Sequence, residues 1–378
     1  MEFINGILTF VVPFLVILTI LVFVHEMGHF LIARWYGVRI EVFSIGFGRE
    51  IFGWTDRAKT RWKFSLIPLG GYVKMFGDAN AASQPDGSAL AELTPEEQAV
   101  AFPCQRLPAR SWIVAAGPLA NFAFAIVLLA ILFGTVGQPF TPAVVGGVIP
   151  NSAAAEAGIQ PGDRIIGLDG STIERFEDVQ RIVRNAAGQT LTVKVLRDGQ
   201  PVVLTAVPKV SEQTDSFGSR HHIGLLGVTR SGVDYVRRGP VEAVWRAGLE
   251  TWNLSVATLD AVGQIIVGRR DAEELGGPIR IAQMSGTVAE NGPVSVMWFM
   301  AVLSINLGLI NLFPIPMLDG GHLLFYVIEA VRGRPLGERA QEYGFRIGLA
   351  IVFSLMLFVT FNDLVNLEVF DFLKRLVT

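Results

Sequence analysis

Residues 25–29 read His25-Glu26-Met27-Gly28-His29. On a helix, residues four apart share a face, so both imidazoles can point at one ion while Glu26 stands beside it to move a proton. That is the equipment of metal-assisted hydrolysis. Five residues are a short pattern, and location decides how much it weighs. The pattern lies inside the apolar run from Ile7 to Ala33. Ionisable side chains are costly in such a setting and usually serve function. The bland alternative is a polar cluster where a helix end meets water.

A hydrolytic zinc centre needs three protein ligands and an open position. The chain has one cysteine, Cys104, and five histidines, so a metal site must be built from His and carboxylates. Cys104 cannot form an intrachain disulfide and reads as a free structural thiol. The third ligand should come from another apolar segment at similar depth. One such segment ends in Asn311-Leu312-Phe313-Pro314-Ile315-Pro316-Met317-Leu318-Asp319-Gly320-Gly321-His322. Pro314 and Pro316 cannot continue a regular helix. Broken backbone at membrane depth is tolerated only where protein or a watery cavity surrounds it. Asp319 directly follows the break and is the preferred third ligand. His322 competes; otherwise it supports the ligands from outside or is a surface histidine at the start of a loop. His221 and His222, beside Arg220, read as solvent-exposed.

These residues need elements to position them. The 378 residues are 51% hydrophobic and only 17% charged, where a soluble protein carries nearer a quarter charged. The net charge of −3 gives no sign of nucleic-acid binding. Four stretches are apolar enough to cross a bilayer: Ile7–Ala33, Trp112–Val136, Val294–Leu312 and Ile347–Phe361, the last starting as early as Tyr343. The first has no basic leader and no small-residue cleavage site, and reads as a retained span. Arg34, Arg39, Arg106 and Arg110 lie between spans one and two, and Arg332, Arg334, Arg339 and Arg346 between spans three and four. The positive-inside rule makes those loops cytoplasmic and places the segment 137–293 on the other side. Spans one and three then run in the same direction, with their polar residues at one depth.

Between spans one and two, residues 40–76 alternate in strand fashion among glycines, and a small β-hairpin or sheet against the membrane face is expected. Residues 78–98 read as a mobile loop. Residues 137–229 read as a separate small α/β domain. It has a strand near Val144–Ile149, a short helix from Ala153 to Gly158 and a strand at Arg164–Leu168. A helix at Phe176–Asn185 and strands at Leu191–Leu196 and Val202–Ala206 follow. Asp169-Gly170 and Asp198-Gly199 are turn signals. Residues 230–293 are expected to form amphipathic linker helices, with apolar Val241, Val244, Leu249, Leu254 and Leu259 among polar positions of 240–268. Residues 1–136 and 294–378 thus carry two spans each.

The combination of H-E-x-x-H in span one, Gly117-Pro118-Leu119-Ala120-Asn121 in span two and N-x-x-P-x-P-x-x-D-G at 311–320 resembles the site-2 protease family of membrane-embedded zinc metalloproteases. The inserted domain resembles a bacterial PDZ domain through Ile149-Pro150-Asn151-Ser152-Ala153-Ala154 and Ala157-Gly158-Ile159-Gln160-Pro161-Gly162-Asp163. The resemblance implies a polytopic α-helical membrane protein with four transmembrane helices, a membrane-associated β-hairpin and an inserted PDZ domain. It implies Zn2+ as cofactor, His25, His29 and Asp319 as ligands and Glu26 as general base. It also implies a substrate contact for Asn311, whose bland reading is an interhelical hydrogen bond. Asn121 with Gly117 reads as close helix packing.

The strands Trp62–Phe64 and Tyr72–Met75 are candidates to take an unwound substrate by β-augmentation. They put Trp62, Phe64 and Tyr72 at the substrate; a plain structural hairpin is the alternative. In the PDZ-like domain the groove strand is placed at Ile223–Val228, with Ile223 and Leu225 toward a peptide, while a steric filter for substrate ectodomains is equally open. Implied substrates are single-pass membrane proteins, such as anti-sigma factors or remnant signal peptides. The implied location is the bacterial inner membrane, with the PDZ-like domain extracytoplasmic and the active site near the cytoplasmic side. Well-known members of the PDZ-bearing branch carry two tandem PDZ domains, and there is room here for one. The rival functions are a non-catalytic PDZ-bearing membrane adaptor, which need not hold zinc, and a metal transporter.

Overall fold

The computed structural model describes residues 7–78, 93–173, 175–214, 220–232, 234–268 and 276–366. A π-helical turn, Ile7–Val11, leads into helix α1 (Val12–Trp35). Strands β1 (Ile40–Thr55) and β2 (Arg61–Met75) follow, then helices α2 (Pro95–Val100) and α3 (Leu107–Thr135). The inserted region holds β3 (Gln138–Phe140), β4 (Val145–Val148), α4 (Ala153–Glu156), β5 (Arg164–Leu168), β6 (Ser171–Thr172) and α5 (Phe176–Asn185). It continues with β7 (Leu191–Arg197), β8 (Gln200–Ala206), β9 (Lys209–Thr214), β10 (Arg220–Leu225), β11 (Val228–Arg230) and β12 (Asp234–Val236). Helices α6 (Pro240–Ile266), α7 (Pro278–Glu290), α8 (Pro293–Leu312), α9 (Asp319–Arg332) and α10 (Glu338–Asn366) complete the described chain.

Among the described residues, four helices are long and apolar enough to cross a membrane: Leu8–Trp35, Leu107–Thr135, Pro293–Leu312 and Arg339–Val365. The fourth begins two turns before the apolar run expected from sequence. Its opening turns are polar, and Arg346 and Glu342 form an i,i+4 ion pair on its surface. Two further departures are local. The stretch around His322, expected as loop, is helix α9, closed by Gly333 in the left-handed conformation. Part of the expected loop 78–98 is helix α2, which Thr94 and Glu97 start with a reciprocal capping box; residues 79–92 lie outside the described residues.

The chain divides into two compact units, one of Met1–Ile131, Val244–Leu259 and Glu273–Thr378, the other of Leu132–Ala243 and Asp260–Ala272. In the first, β1 and β2 are bent and pair with each other twice. Phe43 lies opposite both Trp62 and Val73, and Trp62 lies opposite both Phe43 and Trp54. The order across this sheet is therefore 50–55, 61–65, 42–45, 71–75. Among the described residues, the stretch 71–75 is an edge with a strand partner on one side only. Phe43, Trp62 and Trp54 stack in a row across the sheet, with Phe43 and Trp62 centroids 4.5 Å apart, and Phe30 meets Trp62 edge-on.

In the second unit the main sheet runs β6-β5-β7-β8, with antiparallel pairs β9–β10, β4–β11 and β3–β12 beside it. Its core is apolar and includes Val145, Ile165, Leu168, Val179, Val193 and Val195. Asp169-Gly170 and Asp198-Gly199 turn with positive φ at both residues, as tight hairpins demand. Strand β12 shows that residues 234–236, expected within linker helices, are extended; they pair with β3.

A candidate metal centre among the apolar helices

Helix α1 places His25 and His29 one turn apart, each only 9% exposed. The Asp319 carboxylate, in the first turn of α9, meets them. His25 Nε2 and His29 Nε2 are 3.2 Å apart, and Asp319 Oδ2 is 3.2 Å from the first and 3.5 Å from the second. Ligand atoms bound about 2.0–2.1 Å from a tetrahedral zinc stand roughly 3.3 Å from one another. The triangle therefore has the size of three zinc ligands. Asp319 Oδ2 is buried with no hydrogen-bond partner among the described residues, and two imidazole nitrogens facing each other cannot both donate. A cation at the centre would satisfy all three atoms, and a two-His, one-carboxylate set with a free fourth position suits catalytic zinc.

The approach of these groups depends on missing side chains. A Cβ at Gly117 would stand 2.2 Å from His29 Nε2 and 2.9 Å from His25 Cε1. A Cβ at Gly28 would stand 2.3 Å from the Ala116 carbonyl. Helices α1 and α3 touch there, and both imidazoles reach past α3. His29 Nδ1 donates to the Ile113 carbonyl at 2.9 Å, which turns its Nε2 lone pair inward. On the far side, the chain breaks at Pro314 and Pro316, and Met317 takes φ +92, a strained value for a residue with a Cβ. Helix α10 braces the break, since a Cβ at Gly348 would overlap the Pro316 carbonyl. The strain is held just before Asp319, where it aims that carboxylate at the histidines.

A pocket of about 180 Å³ opens on the cluster, lined by Glu26, Gly71, Tyr72, Val73, Asn311, Met317 and His322 among others. Glu26 faces the backbone amide of Val73, and a Cβ at Gly71 would lie 3.4 Å from Glu26 Cγ. The edge stretch 71–75 thus runs past Glu26. Of the residues expected at the substrate, Asn311 and Tyr72 line this pocket. Trp62 and Phe64 do not: their stretch is paired on both sides and has no free edge. Trp62 stacks in the aromatic row and its Nε1 donates to Asp56 at 3.1 Å. His322 lines the pocket but is not in the triangle. In the second unit Leu225 is exposed, and Ile223 is paired with Ser211 through the backbone. The side chains of Ile223, His221 and His222 lie outside the described residues.

Sequence reasoning passed over one polar contact. Asn121 is wholly buried, and its side-chain amide lies 3.1 Å from His25 Nδ1. Its backbone carbonyl accepts from Ser304 Oγ on α8 at 2.8 Å. The available signal was an Asn in an apolar span, one turn beyond a glycine that lets helices touch.

A family profile described as Peptidase family M50 matches residues 13–355. A protein of Agrobacterium fabrum that carries a zinc-metalloprotease name is 48% identical over 368 residues, covering 96% of this chain and 98% of its own length. Metalloprotease MmpA of Caulobacter vibrioides is 38% identical over 396 residues, covering 99% of this chain and all of its own. Among solved structures, the PDZ domain of the SdrC-like protein of Listeria monocytogenes is 17% identical and covers 24% of this chain and 88% of that domain. Its TM-score is 0.19, too low to carry weight. The family match and the relatives extend over nearly the whole sequence, and the chain belongs to peptidase family M50, the zinc metalloproteases of the site-2 protease type.

Proposed function

We propose that this metalloprotease cleaves peptide bonds in or near the transmembrane segments of membrane proteins, within the bacterial inner membrane. The observation that carries the reading is the triangle of His25, His29 and Asp319 beside Glu26: the histidines stand on a helix long and apolar enough to span a bilayer, and Asp319 opens the short helix α9 that follows another. Those helices leave Val16, Ile20, Val127, Ile131, Ile351 and Phe353 exposed, surface that suits lipid and not water.

In this reading His25, His29 and Asp319 hold the zinc. When bound, the ion supplies Lewis acidity, lowering the pKa of water toward about 7 and polarising the scissile carbonyl. Glu26 takes the proton of the attacking water and delivers it to the departing amine. A helical substrate hides its carbonyls in internal hydrogen bonds, so it must unwind first. The free edge at 71–75 adds it as a strand, with Tyr72 and Asn311 on the substrate side. The inserted domain, PDZ-like by its sequence motifs, lies on the extracytoplasmic side. There it binds an extended tail beside Leu225 and Ile223, or screens ectodomains by bulk. Single-pass proteins such as anti-sigma factors or remnant signal peptides are the substrate class.

Glu26→Gln tests the proposal. It keeps size and polarity but cannot accept a proton at neutral pH. Cleavage of a reporter transmembrane segment should fall by about 10²–10⁴-fold, with protein level and zinc content unchanged. Undiminished cleavage would reject the role of Glu26. A non-catalytic adaptor would show no cleavage in the unaltered protein.

A further inference from the structure

The two imidazoles face the same point but are held by different partners. His29 Nδ1 meets the Ile113 carbonyl, which can only accept. Its proton is therefore on Nδ1 and its Nε2 lone pair faces Asp319. His25 Nδ1 meets the side-chain amide of Asn121, which has a donor end and an acceptor end. With Nδ2 toward the ring, Nδ1 must accept, and the ring proton falls on Nε2. That proton would point at His29 Nε2 and Asp319 Oδ2, 3.2 Å away on each side, and would fill the lone pair a metal ion needs. Either way round, the other end of the amide has no hydrogen-bond partner among the described residues, so the histidine decides the orientation. Turning the amide over gives Oδ1 a donor, His25 Nδ1–H, and frees Nε2. Both imidazoles then follow one pattern, with Nδ1–H on an oxygen and Nε2 toward the ion, the arrangement that fixes metal-bound histidines.

We propose that Asn121 is a positioning residue for the zinc. With its amide oxygen toward α1, it holds the His25 proton on Nδ1 and so sets the lone pair that His25 offers. This rests on the reading of His25 as a ligand. The geometry around Asn121 supports a fixed station. Ser304 of α8 holds its backbone carbonyl at 2.8 Å, and Gly117, one turn earlier, lets α3 come within reach of both rings. Three spans thus meet at one residue, through two hydrogen bonds outside the ligand triangle.

The test is zinc affinity of the full chain in detergent, by competition with a chromophoric chelator, for Asn121→Asp, Asn121→Leu and Asn121→Ala. A carboxylate only accepts, so Asn121→Asp should bind zinc within about threefold of the unaltered protein. Leu and Ala remove the acceptor and should weaken binding by about 10–100-fold. A role in packing alone predicts another order, with the volume-matched Leu tolerated and Ala and Asp impaired. If Leu prevents folding, the contrast between Ala and Asp still decides. Cobalt loaded in place of zinc gives a second readout: its visible d–d bands should be kept in Asn121→Asp and altered in Asn121→Ala. Unaltered zinc affinity in Asn121→Ala, or equal losses in Asp and Ala, would overturn the proposal. His25→Ala is the control for the reading beneath it. If that variant binds zinc as well as the unaltered protein, the ligand assignment fails instead.

Discussion

Two carboxylates, one from each unit of this protein, are treated in opposite ways. Asp163 of the inserted domain is 1% exposed and fully answered. Arg197 reaches it with Nε at 2.8 Å and Nη2 at 2.7 Å, and the Gln160 backbone N–H donates at 2.9 Å. Such a bidentate pair holds a fold together. Among the described residues Asp319 has no Lys or Arg partner; its buried oxygen faces two imidazole nitrogens that also need a partner. A buried carboxylate whose lone pairs are taken up by protein donors is architecture. One whose lone pairs converge with others on a shared point is a site that takes its counter-charge from elsewhere.

Replacing one member of each pair tests that contrast. Asp319→Asn removes the charge but hardly the volume. The purified protein should hold well under one zinc per chain and lose cleavage to background, while its fold persists by circular dichroism. Stoichiometric zinc in that variant would break the comparison. Next in size is Gly117→Ala. A methyl group 2.2 Å from His29 Nε2 must displace the ring, and misplacing a catalytic group by about 1 Å can cost on the order of 10²-fold in rate. The reporter cleavage assay measures this loss directly.

Arg197→Met should leave zinc content unaltered. It leaves a buried carboxylate without its main donor and should weaken the inserted domain by about 1–3 kcal/mol, read from hydrogen exchange of amides in β5 and β7. The smallest effect is one of pH. The Arg197 guanidinium holds the Asp163 carboxyl below the usual carboxylate range. The stability this lends is complete above the unfolded pKa, about 4, and is lost as pH falls through the lower folded value. Protection of β5 and β7 should therefore decline below about pH 4 in the unaltered protein, and Arg197→Met should flatten that decline.

Features that depend on a few consecutive residues could be read without coordinates. His25 and His29 share a face because of helical spacing alone, the spans follow from runs of apolar residues, and the Asp-Gly pairs announce their turns. The proline break before Asp319 was visible for the same reason, since a missing N–H is a property of one residue. Other features turned on residues far apart in sequence. Trp62–Phe64 and Tyr72–Met75 look alike as alternating strands. Only the double pairing of β1 with β2 leaves 71–75 as the free edge and encloses 61–65. Asp319 and His322 are separated by one helical turn, and the bend at Met317 selects the first for the triangle.

Asn121 is the plainest case. Its sequence neighbourhood says only that two helices can touch. That its amide ends on His25 Nδ1 follows from how α3 lies against α1 and is held by Ser304. Local sequence determined which groups could do chemistry and on which helical faces they stand, because periodicity and backbone preference are short-range. The tertiary fold decided which groups meet, because hydrogen bonds and ligand triangles are set to fractions of an ångström by packing between segments that the sequence keeps apart.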